Sequence, residues 1–154
     1  MTSVLFVCTG NTCRSPLAEA FTRRGAHLRG LELTVASAGT FAVEGAPATG
    51  HALRAAARRG ADLSMHRSRP FDAESLAGVD LVVGLSPSHV RALPTGYGHE
   101  ITTALATDFL PSDHVLHGTP VSDPHGGDEA AYEETARLLE ECVAGILDDL
   151  SGDG

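Results

Sequence analysis

The sequence contains no lysine and no tryptophan, only three cysteines, and 5% aromatic residues. Each shortage excludes something. All eleven basic residues are arginine, so a Walker-type nucleotide loop and Schiff-base chemistry, which both need a lysine amine, are ruled out. An odd number of cysteines fits a reducing cytoplasm better than a disulfide framework. No apolar run approaches a membrane span, and the short apolar start lacks the basic leader of a secretory signal. Positive charge is scarce: twenty acidic residues leave a net charge of −9, which argues against a nucleic-acid-binding or membrane-adhering surface.

What is present describes one soluble α/β domain, residues 1–150, with a short tail at 151–154. Strands are expected at Val4–Val7, Leu33–Ala36, Asp80–Leu85 and, more weakly, Ile101–Leu105. Helices are expected at Ser15–Arg29, Pro47–Arg59, Ala73–Leu76, Ser88–Leu93 and Asp128–Leu150. Strands alternating with helices imply a central four-stranded parallel sheet in three layers, with helices on both faces. Sites in such sheets lie beyond the carboxyl ends of the strands. In the last helix Tyr132, Ala136, Leu139, Cys142, Val143, Ile146, Leu147 and Leu150 form an apolar stripe at helical spacing. Asp128 is its expected N-cap.

One stretch carries the chemistry. Val4–Val7 reads as a buried strand, Cys8 to Arg14 as a seven-residue loop, and Ser15-Pro16 as a helix start with Ser15 as N-cap. Backbone N–H groups of residues 9 to 15 can then converge where the helix dipole begins, a geometry that binds a tetrahedral oxyanion. Thr9, Gly10, Asn11, Thr12, Cys13, Arg14 and Ser15 are therefore the candidate phosphate-binding residues. Cys8 faces this cradle and is the candidate nucleophile, since converging N–H groups favour a thiolate. Arg14 can grip two phosphoryl oxygens in a fork that lysine lacks. Gly10 admits the anion, Asn11 tolerates a left-handed backbone and can lock the loop, and Ser15 can donate to the Cys8 thiolate.

Cys8-x5-Arg14-Ser15-Pro16, opening on an N-terminal strand, resembles the low-molecular-weight protein-tyrosine phosphatases. Ser37-Ala-Gly-Thr40 after the second strand, His66 in the next connection and Asp123-Pro124 near the end match in order and spacing, so the likeness covers essentially the whole chain. It implies that Asp123 is general acid and then general base, and that Ser37 and His66 hold the loop's asparagine and serine from behind. It further implies that Cys8 and Cys13 form a redox pair. No metal or cofactor is implied. Inorganic phosphate or sulfate should occupy the loop, the substrate should be a phosphorylated protein, and the chain should act as a cytoplasmic monomer.

The substrate residue is the open point. Thr12 stands where the tyrosine phosphatases usually have a bulky aliphatic residue, and Pro124-His-Gly-Gly127 lacks their aromatics. Thr9-Gly-Asn-Thr12 and the glycine pair resemble the protein-arginine phosphatase branch, in which the threonine at the Thr12 position helps select phosphoarginine. Phosphoarginine is thus favoured, with phosphotyrosine as the alternative. Thr12, Phe41 and His125 are the rim candidates, Phe41 being otherwise a core residue. An arsenate reductase-like redox enzyme shares the fold and loop, but no cysteine lies between Cys13 and Cys142 to relay a disulfide. A non-catalytic phosphate-binding module would not need Cys8, Arg14 and Asp123 together. A zinc site at Cys8 and Cys13 lacks a second ligand pair. Tyr132 is a candidate for regulatory phosphorylation, and His114 and His117 read as loop residues.

Overall fold

The computed structural model describes residues 2–152. The first strand, β1 (Thr2–Cys8), is buried from Val4 to Val7 because both of its faces are covered. It is followed by α1 (Arg14–Arg29), β2 (Leu33–Gly39), α2 (Gly50–Arg58), a 3-10 turn at Glu74–Leu76 and β3 (Leu81–Gly84). Then come α3 (Pro87–Arg91), β4 (Thr102–Leu105), a 3-10 turn at Ala106–Phe109 and α4 (Glu129–Leu150). All strand pairs are parallel and the sheet order is β2-β1-β3-β4. The chain leaves β1 on one side to make β2 and returns on the other to make β3. The crevice at the carboxyl end of β1 therefore lies at a topological switch point.

The two sheet faces bury different layers. Val4, Phe6, Val35 and Val83 pack with Leu17, Phe21, Ala52, Leu139, Val143 and Ile146 from α1, α2 and α4. Leu5, Val7, Ala38 and Val82 pack on the other side with Leu76, Val79, Phe71, Leu93, Tyr97 and Ile101. The expected three layers are present, with the long helices concentrated on the first face. Asp128 caps α4 as expected, its Oδ1 accepting from the Ala131 N–H at 3.0 Å. Arg59 ties α2 to α4 through Glu133 at 2.7 Å and Glu140 at 2.6 Å.

Of the boundaries that differ from the sequence reading, three bear on the site. β2 runs through Gly39, paired with Cys8, so Ser37 lies within the strand rather than after it. α1 starts at Arg14 with Cys13 as its cap residue, because the Leu17 N–H already bonds the Cys13 carbonyl at 3.1 Å and the Ser15 hydroxyl is engaged elsewhere. α2 starts at Gly50 rather than Pro47, since Ala46 is held in reciprocal bonds with Ser68 and the Thr49 hydroxyl caps the Ala52 N–H at 3.3 Å. Of the expected tail, Ser151 and Gly152 close α4 in a turn, and residues 153–154 lie outside the described residues.

Candidate active site

The loop after β1 is held from outside by its carbonyls. The Cys8 carbonyl accepts from the Thr40 N–H at 2.9 Å and the Thr9 carbonyl from the Phe41 N–H at 3.0 Å. The Asn11 carbonyl meets His66 Nε2 at 2.7 Å, and the Thr12 carbonyl accepts from the Thr49 N–H at 3.0 Å. In a trans peptide the N–H points opposite to the C=O. Carbonyls turned outward at 8, 9, 11 and 12 thus turn the N–H groups of residues 9, 10, 12 and 13 inward, which makes an anion-binding concavity. The Asn11 N–H completes the ring by pointing at Cys8 Sγ, 3.3 Å away.

Asn11 is the hub. Its backbone is left-handed (φ 57°), which asparagine tolerates better than most residues. Its Nδ2 donates to Ser15 Oγ at 2.8 Å and to Ser37 Oγ at 2.9 Å, and its Oδ1 accepts from the Arg69 N–H at 3.0 Å. Ser37 passes its own hydrogen to Glu19 Oε1 at 2.6 Å. Because Asn11 occupies Ser15 Oγ as a donor, the Ser15 hydrogen turns to an acceptor, and Cys8 Sγ at 2.9 Å is nearer than the Ala38 carbonyl at 3.5 Å. The sulfur therefore sits among donors, the environment a thiolate needs. Gly39 makes room for this: a Cβ there would stand 2.4 Å from the Thr9 carbonyl oxygen and 3.0 Å from Asn11 Cβ.

Cys8, Thr9, Gly10, Asn11, Thr12, Cys13 and Arg14, with Asp123 and His125 opposite, line one cavity of about 180 Å³. Arg14 is buried; its Nη1 donates to the Val121 carbonyl at 2.9 Å and its Nη2 lies 3.7 Å from Asp123 Oδ2. Asp123 Oδ1 accepts from the His125 N–H at 3.0 Å, so the Asp-Pro turn aims the carboxylate at the cavity mouth. Ser37 and His66 both reach Asn11, one at the side chain and one at the carbonyl. Thr12 and His125 lie on the rim. Phe41 is neither core nor cavity wall: it is 84% exposed and joins the loop only through its backbone.

The Cys13 sulfur is 3.2 Å from Tyr132 Oη and 3.6 Å from Thr49 Oγ1. Tyr132 is 2% exposed and its hydroxyl is bonded to Thr49 as well, so it is a core residue and not an accessible phosphorylation site. Burial, with Cys13 beside it, raises its pKa. Cys142 is fully buried, and burial pushes its thiol up to about 12, which leaves it unsuited to relay a disulfide. Sequence reasoning missed His89, Glu19 and Arg69, which reach the loop or its supports from other elements. Only Glu19 left a trace, one helical turn after Ser15.

A cysteine sulfur beneath an amide cradle, with a guanidinium and a carboxylate at the open side, is the arrangement a cysteine-dependent protein phosphatase requires. The model of the family "Low molecular weight phosphotyrosine protein phosphatase" matches residues 3–154, and the chain belongs to that family. It is 36% identical over 152 residues to a protein-arginine-phosphatase of Bacillus subtilis, covering 97% of each chain. It is similar to the crystal structure of a low molecular weight protein tyrosine phosphatase from T. tengcongensis, with a TM-score of 0.85, 33% identity, and coverage of 97% of this chain and 99% of that one. It is also similar to the YwlE arginine phosphatase in a variant with a phosphorylated active-site serine, with a TM-score of 0.84, 31% identity, and coverage of 99% and 97%. Among the described residues no helix is long and apolar enough to cross a membrane.

Proposed function

We propose that this protein removes phosphate from phosphoarginine in proteins through a phosphocysteine intermediate. The phosphoryl group docks in the Cys8–Ser15 loop, its oxygens met by the inward N–H groups and by Arg14. Cys8 Sγ attacks in line: the S–P bond forms, the bond from phosphorus to the leaving nitrogen breaks, and protonated Asp123 supplies that nitrogen with its proton. Water then attacks phosphorus while Asp123 takes its proton, and the S–P bond breaks to release inorganic phosphate. Ser15, donating to the departing sulfur, stabilises it as thiolate. The related arginine phosphatase whose active-site serine carries phosphate supports a covalent intermediate at the loop nucleophile.

The observation that carries the choice of substrate is the set of hydrogen-bond acceptors at the mouth. Thr9, Thr12, Asp123 and His125 line it, and the exposed Phe41 ring stands outside it. A phosphotyrosine ring favours flat apolar walls, whereas a guanidinium brings N–H donors that need acceptors. Phe41, projecting from the loop's edge, is the wall for the substrate chain rather than for the phosphorylated group. The protein acts as a cytoplasmic monomer, and Cys8 with Cys13 is its oxidation-sensitive pair; three free thiols support a reducing compartment.

The test is a side-by-side assay on phosphoarginine, phosphotyrosine and phosphoserine peptides, with Cys8→Ser as blank. Phosphoarginine should give the highest kcat/KM, and Thr12→Ile should shift preference toward phosphotyrosine. A wild type that prefers phosphotyrosine would overturn the substrate assignment while leaving the phosphatase class intact.

A further inference from the structure

The cradle is anchored unevenly. Asn11, Cys13, Arg14 and Ser15 are buried, and the asparagine side chain is bonded on every polar atom. Thr9 and Gly10 are exposed, and a Cβ added at Gly10 would meet only Thr12 Oγ1, 3.7 Å away. The Thr9 carbonyl is tied to the Phe41 N–H. Among the described residues one other side chain reaches this half of the loop: His89 Nε2 stands 3.0 Å from Thr9 Oγ1.

We propose that His89 is a positioning residue that fixes the first turn of the phosphate cradle by holding the Thr9 hydroxyl. The proposal deepens the phosphatase reading and rests on it for its kinetic arm. His89 lies on α3, just beyond the end of β3, and is 2% exposed. Its Nδ1 is 3.3 Å from Ser86 Oγ, which in turn is 2.8 Å from Ser88 Oγ. The ring thus bridges the end of β3 to the residue that follows the nucleophile. A neutral imidazole has one N–H donor and one acceptor nitrogen, and hydroxyls on both sides accept either tautomer. The ring stays neutral at neutral pH: burial, with the nearby Arg14 charge, brings its pKa to about 4 against a partial opposing effect of Asp123. A neutral ring holds Thr9 without competing with Arg14 for the anion.

The geometry separates the two nitrogens experimentally. A glutamine amide reaches the region of Nε2, whereas an asparagine amide reaches only that of Nδ1. His89→Gln should bind inorganic phosphate within about twofold of wild type, and His89→Asn should bind it about three- to tenfold more weakly, the range for one lost hydrogen bond. KM for the phosphopeptide should rise by the same factor with kcat little changed. Thr9→Val should show the same loss, and His89→Asn combined with Thr9→Val should be no weaker than either alone. Phosphate affinity is measured by calorimetry, so the comparison does not need turnover. Should His89→Asn fail to fold, Thr9→Val carries the same reading with the ring in place. Equal binding by His89→Gln and His89→Asn, additive losses in the double variant, or wild-type affinity in Thr9→Val would each overturn the proposal. A wild type that binds phosphate and turns over no phosphopeptide would instead sink the phosphatase reading.

Discussion

The two walls of the cavity are built in opposite ways. On one side the loop from Cys8 to Ser15 is locked: four of its carbonyls are bonded from outside, and Asn11 joins Ser15, Ser37 and the Arg69 backbone. On the other side the Asp123 side chain is 49% exposed and held by the His125 N–H and a 3.7 Å ion pair. The difference follows the chemistry. In the proposed mechanism every substrate presents the same three phosphoryl oxygens, so donors fixed in advance meet the charge on them in the transition state without reorganising. In that mechanism Asp123 gives a proton to the leaving group and takes one from water, so it must serve two positions, and light anchoring lets it.

The comparison can be broken from either side. Asp123→Asn leaves the cradle intact and should lower kcat about 10²- to 10⁴-fold on substrates with poor leaving groups, with phosphate affinity kept; stopped-flow kinetics on a leaving-group series checks this. Arg14→Lys touches both walls, since it removes the fork and the Val121 contact. It should lower kcat/KM about 10²- to 10³-fold and weaken phosphate binding as well.

Two glycines sharpen the contrast through stability. Gly39→Ala pushes a methyl against the Thr9 carbonyl of the locked wall and should cost about 1–3 kcal/mol by urea unfolding. Gly127→Ala places its methyl 2.9 Å from both the Pro124 carbonyl oxygen and Ala131 Cβ in an exposed turn, and should cost about 0.5–1.5 kcal/mol. The smallest effect is a slope. His89 titrates near 4 when folded and near 6.5 in an open chain. The unfolded chain therefore binds more protons between those values, and stability falls as pH drops from about 6.5 toward 4. Thermal midpoints across that window should decline in wild type and less steeply in His89→Gln.

How much of this was readable in the sequence follows the range of the interactions. Cys8 to Ser15 is contiguous, so strand, cradle and helix start could be read from spacing, as could the apolar stripe of α4. The roles of Ser37 and His66 came from family resemblance, and their targets on Asn11 lie 26 and 55 residues away. His89 meets Thr9 across 80 residues, at the adjacent ends of β1 and β3, and no spacing rule carries that pairing. Ser15 looked like a cap because of its residue type; its hydroxyl serves the sulfur instead, and the helix starts at Arg14 from the Cys13 carbonyl. Phe41, open to either rim or core from its sequence, proved exposed beside the loop.

The most direct measurement is rapid denaturing quench of Asp123→Asn with an aryl phosphate whose leaving group departs without a proton, followed by peptide mass spectrometry. Slowed hydrolysis should leave a phosphoryl group on Cys8, absent from Cys8→Ala treated in parallel under conditions that preserve a thiophosphate. Phosphate release with no adduct on Cys8 at any time point, or an adduct on another residue, would contradict the account.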